Sequence, residues 1–240
     1  MTALSILFIG LLLGMKHATE ADHLAAVATL ATRQTSLAQT LRQGVAWGIG
    51  HTLTLMLFAG AVLALGQVIS PDLEQALETA VGIMLIVLGA DVLRRLVRDR
   101  IHFHAHRHAA GAEHVHAHSH RAEGRHAESP HRHEHAKRWP VRALAVGVMH
   151  GLAGSAALVV LSLQAVPSVA LGLGYIALFG VGSIVGMALL SVAIAVPLKL
   201  SAGYLTRVHH AMTALVGGVS CALGIFMVLE VGYLKALLLA

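Results

Sequence analysis

Charge is scarce in this chain: of 240 residues only 12% are Asp, Glu, Lys or Arg, about half the roughly 25% of a soluble domain. Aromatic residues are scarce too, at 4%, whereas 56% of the chain is apolar and the mean hydropathy is +0.73. A soluble globular fold is excluded by that balance; the length suits about six spans of roughly 20 residues each and one sizeable loop. One cysteine excludes an intramolecular disulfide framework and any cysteine-cluster metal site. The net charge of +5 is not a nucleic-acid signal, because most basic residues fall in one island between Arg94 and Arg142.

No Asp, Glu, Lys or Arg occurs from Gln43 to Pro71, from Ala143 to Leu198 or from Val208 to Leu229. The middle stretch is long enough to cross hydrocarbon twice, and Pro167 and Ser168 divide it into helices expected at about 141–164 and 168–198. Two further spans carry charges: about 2–32, interrupted by Lys16, Glu20 and Asp22, and about 74–96, which ends at Asp91, Arg94 and Arg95. The first has no basic leader and no small-residue cleavage pattern, so it reads as a retained span rather than a removable signal. Its 31 residues as one helix would measure about 47 Å against a hydrocarbon core of about 30 Å, which demands tilt, a break or protrusion. The expected architecture is an all-α polytopic membrane protein of six transmembrane helices.

Arg33, Arg42, the basic island, Lys199 and Arg207 lie on one side of this six-span arrangement, and only Lys235 on the other. The positive-inside rule then puts the island in the cytoplasm of a bacterial-type inner membrane and both termini outside.

The chain also matches itself at an offset of roughly 132 to 135 residues, the mark of a transporter built from repeats. Gly14-Met15-Lys16-His17 aligns with Gly147-Val148-Met149-His150, and Trp47-Gly48-Ile49-Gly50-His51 with Phe179-Gly180-Val181-Gly182-Ser183. Val81-Gly82 and Leu88-Gly89 align with Val216-Gly217 and Leu223-Gly224. Three spans per copy is an odd number, so the second copy is inverted. The expected organisation is a 3+3 inverted repeat: residues 1–97, a histidine-rich cytoplasmic loop at 98–140, and residues 141–240.

His17-Ala18-Thr19-Glu20-Ala21-Asp22-His23 places two imidazoles and two carboxylates inside a span, where ionisable groups are costly and mark function. Imidazole nitrogen suits nickel, cobalt, copper or zinc, and a nearby carboxylate ligates or orients an imidazole. On an unbroken helix His17 and His23 would point about 120° apart, so they share an ion only if the helix unwinds between them. His51 lies about 13 Å in from Arg42 by helical rise, close to mid-depth. Metal-ligand candidates are therefore His17, Glu20, Asp22, His23, His51 and His150. For His51 and His150 the alternative of a plain interhelical hydrogen bond stays open, as does the choice for Lys16 between pairing with Glu20 and snorkelling. Gly48, Gly50, Gly60, Gly151 and Gly154 permit close helix approach around the cluster. Asp91 reads as an interfacial ion pair with Arg94 or Arg95, and Glu230 as an outer-interface residue. Cys221 and the methionines read as packing.

Between His102 and His135 lie twelve histidines. Such a tract builds no core and reads as disordered, a cytoplasmic buffer or sensor of a borderline divalent ion. Its candidate ligands are His102, His104, His106, His108, His114, His116, His118, His120, His131, His133 and His135; a plain solvated linker is the alternative.

The run from Gly14 to Val27, with His17, Asp22 and His23 in HxxxxDH spacing, resembles the signature of the nickel/cobalt transporter family (NiCoT and NicO). Gly50-His51-Thr52 is similar to that family's Gly-His-Ser/Thr element, and the run from His150 to Leu158 resembles the UreH-like, urease-associated branch. The resemblance implies transport of Ni2+ or Co2+ as substrate, with His17, Asp22, His23 and His51 carried over as the ion-binding set. It implies no enzymatic activity and no organic cofactor. The larger permeases of the family have eight spans and a second-half Asp/Glu motif; this chain has neither. A long histidine loop is also similar to the efflux branch, whose first motif has Pro-Gly where this chain has Ala21-Asp22.

The leading expectation is uptake of nickel, or of cobalt, with nickel/cobalt or zinc efflux as the alternative. A membrane metalloenzyme is disfavoured because HExxH and HxxHH boxes are missing. Partners expected are membrane lipid, the ion itself, and a cytoplasmic metallochaperone or urease or hydrogenase maturation proteins, not nucleic acid. No ATP-binding motif occurs, so energy comes from an ion gradient, the membrane potential, intracellular trapping or a separate ATPase subunit.

Overall fold

The computed structural model describes residues 2–34, 36–65, 70–98, 102–107, 113–118, 140–152, 168–204 and 206–230. Its helices are α1 (Ala3–His17), α2 (Ala21–Ala31), α3 (Leu37–Leu65), α4 (Pro71–Arg98), α5 (Val141–Leu152), α6 (Val169–Tyr204) and α7 (Thr206–Leu229). Four stretches are long and apolar enough to cross a membrane: Leu37–Ala61, Asp72–Arg98, Val169–Ser201 and Arg207–Leu229. The bent pair α1 and α2 makes a fifth. The sixth expected span begins as α5, and the rest of it, residues 153–167, lies outside the described residues. The molecule is thus helical and membrane-integral, with four to five spans among the described residues.

The excess length of the first segment is absorbed by a break. Thr2 caps α1, its hydroxyl accepting from the Ser5 amide at 3.3 Å. After His17 the chain tightens: the Thr19 amide donates to Lys16 O at 2.9 Å and the Glu20 amide to His17 O at 3.0 Å. The Thr19 hydroxyl takes Lys16 O as well, at 2.6 Å. Glu20 is then extended (φ −63°, ψ 151°) and its carbonyl opens α2. Asp22 sits in the first turn of α2, where the helix dipole favours a carboxylate. The two halves are bent by 57°.

α6 differs from expectation at its end, running on through Pro197 to Tyr204. A membrane helix accepts such a proline because neighbouring groups satisfy the carbonyl it frees. Within the tract expected to lack structure, His102–Arg107 and Glu113–His118 form two short antiparallel strands, His104 standing opposite His116 in the register. His-x-His alternation has the strand period of two, which explains why the tract can pair at all. His108, His120, His131, His133 and His135 lie outside the described residues.

Small residues set the helix packing. A Cβ added to Gly14 would strike the backbone of Phe179, and one added to Gly147 would strike that of Trp47. Gly50 meets Leu144 O, and Gly182 meets Leu11 O. Gly82 lies against Gly224, and Gly89 against Gly217. Such backbone approach, rather than the hydrophobic effect, draws helices together in lipid. Of the glycines singled out from sequence, Gly48 and Gly151 are as tightly packed, against Ile184 and His51 O, but Gly60 has, among the described residues, only Leu173 Cδ2 at 3.8 Å; Gly154 lies outside the described residues.

At the basic end, Asp91 accepts from Arg95 Nε at 3.1 Å and also from Arg33, in the turn after α2. The expected pairing thus falls to Arg95, and a partner remote in sequence joins it. Burial, and then Arg95, pulls the Arg33 guanidinium below its ordinary range, while Asp91 opposes both. Cys221 packs between α7 and α4, its thiol 3.6 Å from Ile86 O.

Candidate metal centre

The break between α1 and α2 turns the two histidines of the first segment toward each other, their ring centroids 4.4 Å apart. A straight helix would keep them apart; unwinding at Ala18–Glu20 removes that obstacle. α3 adds His51, 5.2 Å from His17 and 5.2 Å from His23. α5 adds His150, 4.7 Å from His23. All four imidazoles are at most 4% exposed.

Two carboxylates orient this cluster. Glu20 Oε1 lies 2.9 Å from His17 Nδ1, and Asp22 Oδ1 lies 2.9 Å from His23 Nδ1. A carboxylate only accepts, so each pairing makes Nδ1 the donor and leaves Nε2 with its lone pair. Both Nε2 atoms are buried without a hydrogen-bond partner among the described residues, as are both ring nitrogens of His51. Asp22 reaches further: its Oδ2 stands 3.3 Å from His150 Nε2, an ionic contact without hydrogen-bond alignment. Buried polar atoms in native proteins nearly always have partners, and each orphan asks for a reason. A concentration of orphaned imidazole nitrogens facing one another is the donor set that a borderline divalent cation takes.

Among the described residues, two groups of donors are close enough to hold an ion, each with its atoms within 4.8 Å of one another: His17, His23 and His51, and Asp22, His23 and His150. Every intramembrane candidate from the sequence is therefore in or against the cluster. Glu20, 46% exposed, touches it through His17 rather than from inside. Lys16 is exposed, and the carboxylate of Glu20 goes to His17. Sequence reasoning passed over two aromatic residues. Trp47 is fully buried, stacked on His23 at 5.6 Å and edge-on to His150 at 5.5 Å. Phe179 lies 5.3 Å from His17. The signal for Trp47 was available: it precedes His51 by four residues, one helical turn on the same face, in a chain with two tryptophans.

Beyond Trp47, toward the basic end of α3, a narrow seam is lined by Thr40, Gln43 and Ser191 among apolar neighbours. Gln43 Oε1 is buried there without a partner.

No solved structure matches the chain. A family model described as high-affinity nickel-transport protein matches residues 3–238. The urease accessory protein UreH of Bacillus sp. (strain TB-90) is 34% identical over 234 residues, 98% of this chain and 95% of that protein. With that near-complete match, and with orphaned imidazoles gathered inside an apolar helical bundle, the chain belongs to the high-affinity nickel-transport (NicO) family and is a membrane protein of metal-ion transport.

Proposed function

We propose that this protein is a six-span permease taking up nickel, or cobalt, into the cytoplasm, and that the imidazole cluster is where the ion sheds its water. The observation that carries the reading is the set of unpartnered ring nitrogens on His17, His23 and His51, each within reach of the others. A hydrated divalent ion cannot enter hydrocarbon, and a charged or polar group is retained there at a cost that function must justify. Nitrogen donors suit nickel and cobalt better than magnesium or calcium, and Asp22 supplies the negative charge that a wholly neutral site lacks.

The reciprocal glycine contacts support the 3+3 inverted repeat. Gly14 and Gly147 are aligned residues, and each meets the other copy's aligned aromatic, Phe179 or Trp47. Gly82 with Gly224 and Gly89 with Gly217 exchange aligned positions in the same way. Residue i on j paired with j on i is what a two-fold relation produces. Two such halves can rock about the central site to alternate access.

The excess of Arg33, Arg42, the basic island, Lys199 and Arg207 on one side supports a cytoplasmic histidine loop and outward termini. In this reading the loop buffers the arriving ion and passes it to nickel-enzyme maturation proteins, consistent with a relative named as a urease accessory protein.

The test is 63Ni2+ flux into proteoliposomes of fixed protein orientation, with the intact chain, His17→Ala and a deletion of 102–135. Flux lost in His17→Ala and kept in the deletion is expected. Equal flux in His17→Ala refutes the site; outward-directed flux alone refutes uptake.

A further inference from the structure

The two donor groups intersect at one residue, His23. From this we infer that the centre is not one pocket but two successive subsites, and that His23 hands the ion from one to the other. The inference rests on the transport reading above and adds to it the route of the ion.

The first subsite, His17, His23 and His51, holds three neutral nitrogens within 4.8 Å of one another. The second, Asp22, His23 and His150, holds two nitrogens and a carboxylate in the same compass. The donor sets differ in charge by one unit, so the ion passes between a neutral and an anionic site. An ion that is to be released needs adjacent sites of graded hold rather than one deep well. With the His23 ring common to both, the ion exchanges its other ligands without crossing open hydrocarbon between the subsites.

The placement of the subsites follows from the repeat. His17 and His150 are aligned residues of the two halves, and so are Phe179 and Trp47. Each histidine packs on the other half's aromatic: His17 on Phe179 at 5.3 Å, His150 on Trp47 at 5.5 Å. Elements related by an axis in the membrane plane lie toward opposite membrane faces. The two subsites therefore stand on opposite sides of that axis with His23 between them. Helix α3 gives the same order independently, since Trp47, against the second subsite, is about 6 Å nearer the basic end than His51 by helical rise. The seam at Gln43 continues in that direction.

Trp47 supplies a local readout that the loop histidines do not disturb. The chain has two tryptophans, so Trp139→Phe leaves Trp47 alone, and paramagnetic Ni2+ quenches its fluorescence more strongly in the second subsite, which Trp47 touches through both His23 and His150, than in the first, which it touches through His23. In the full-length Trp139→Phe protein, reconstituted in liposomes, Ni2+ quenching and 63Ni2+ flux are both expected. His51→Ala, with His51→Asn as the gentler replacement if the alanine variant is not monodisperse, should keep the quenching while flux falls about tenfold or more. His150→Ala should lose most of the quenching and a similar share of the flux. Loss of quenching in a monodisperse His51 variant, undiminished flux in it, or full quenching in His150→Ala overturns the two-subsite relay. So does nickel flux by the intact chain with no quenching of Trp47, which leaves the transport reading standing; absence of both flux and quenching rejects transport itself.

Discussion

Glu20 and Asp22 stand two residues apart and do different work. Glu20 is nearly half exposed and fixes only His17, whereas Asp22 is largely buried and faces both His23 and His150. Orienting partners of a metal-ligating imidazole typically carry about 10- to 100-fold in metal affinity or activity. Glu20→Gln, which keeps shape and an acceptor oxygen, is expected to weaken nickel uptake by about tenfold at low nickel and less at saturation. Asp22→Asn removes the negative charge that, among the described residues, two imidazoles share, and is expected to suppress uptake at every concentration. The dependence of 63Ni2+ uptake on nickel concentration separates the two; equal effects would mean that Glu20 ligates directly.

Glycine makes a second comparison at this scale. Gly14 lies against the Phe179 backbone, which cannot step aside as a side chain can, while Gly60 has nothing nearer than 3.8 Å among the described residues. Gly14→Ala should destabilise by about 1–3 kcal/mol, as overpacking does. Gly60→Ala should be neutral or slightly stabilising, since alanine is the better helix former by about 1 kcal/mol. Thermal unfolding in detergent measures both, and a Gly14→Ala protein as stable as the parent would refute the packing argument.

Among the elements, the turn after α2 is tied to α4 through Arg33, Asp91 and Arg95. Partly exposed pairs of this kind contribute only about 0.2–1 kcal/mol each. Arg33→Gln should therefore cost little stability. Asp91→Asn should cost more, because it leaves two guanidinium groups facing each other. The same unfolding measurement decides, and raised salt should narrow the gap by screening the repulsion. The break between α1 and α2 was foreseeable as one of three ways, with tilt and protrusion, to fit a segment too long for the bilayer. Its place was not, because the tightening at Thr19 depends on backbone bonds to Lys16 and His17 that no residue pattern announces.

For the whole molecule, the proposed orientation, argued from the distribution of basic residues, puts the start of α1 outside. With Cys221 replaced by serine, a cysteine introduced at Thr2 should react in intact cells with a membrane-impermeant maleimide. Reaction only after permeabilisation would reverse the orientation and, with it, the assignment of the loop to the cytoplasm.

The sequence by itself determined much of this protein. Uncharged runs marked the long helices, since hydrocarbon admits few charges, and HxxxxDH together with His51 marked the residues of the candidate site. Local chemistry is enough for such inferences: a charge in a span is conspicuous wherever the helices go. The glycine blocks at a fixed offset pointed to a repeat, but not to which helices meet: that Gly82 lies against Gly224 and Gly147 against Trp47 came only with the structure. Only the tertiary structure decided which groups meet. It brought His150 to Asp22 across more than half the chain, set Trp47 on His23, gave Glu20 to His17 rather than Lys16, and paired Asp91 with Arg33. The Glu20 pairing is set locally by the break between α1 and α2; the other contacts depend on how helices remote in sequence cross, and in lipid that is decided by close backbone packing at small residues rather than by any property of the residues that end up touching.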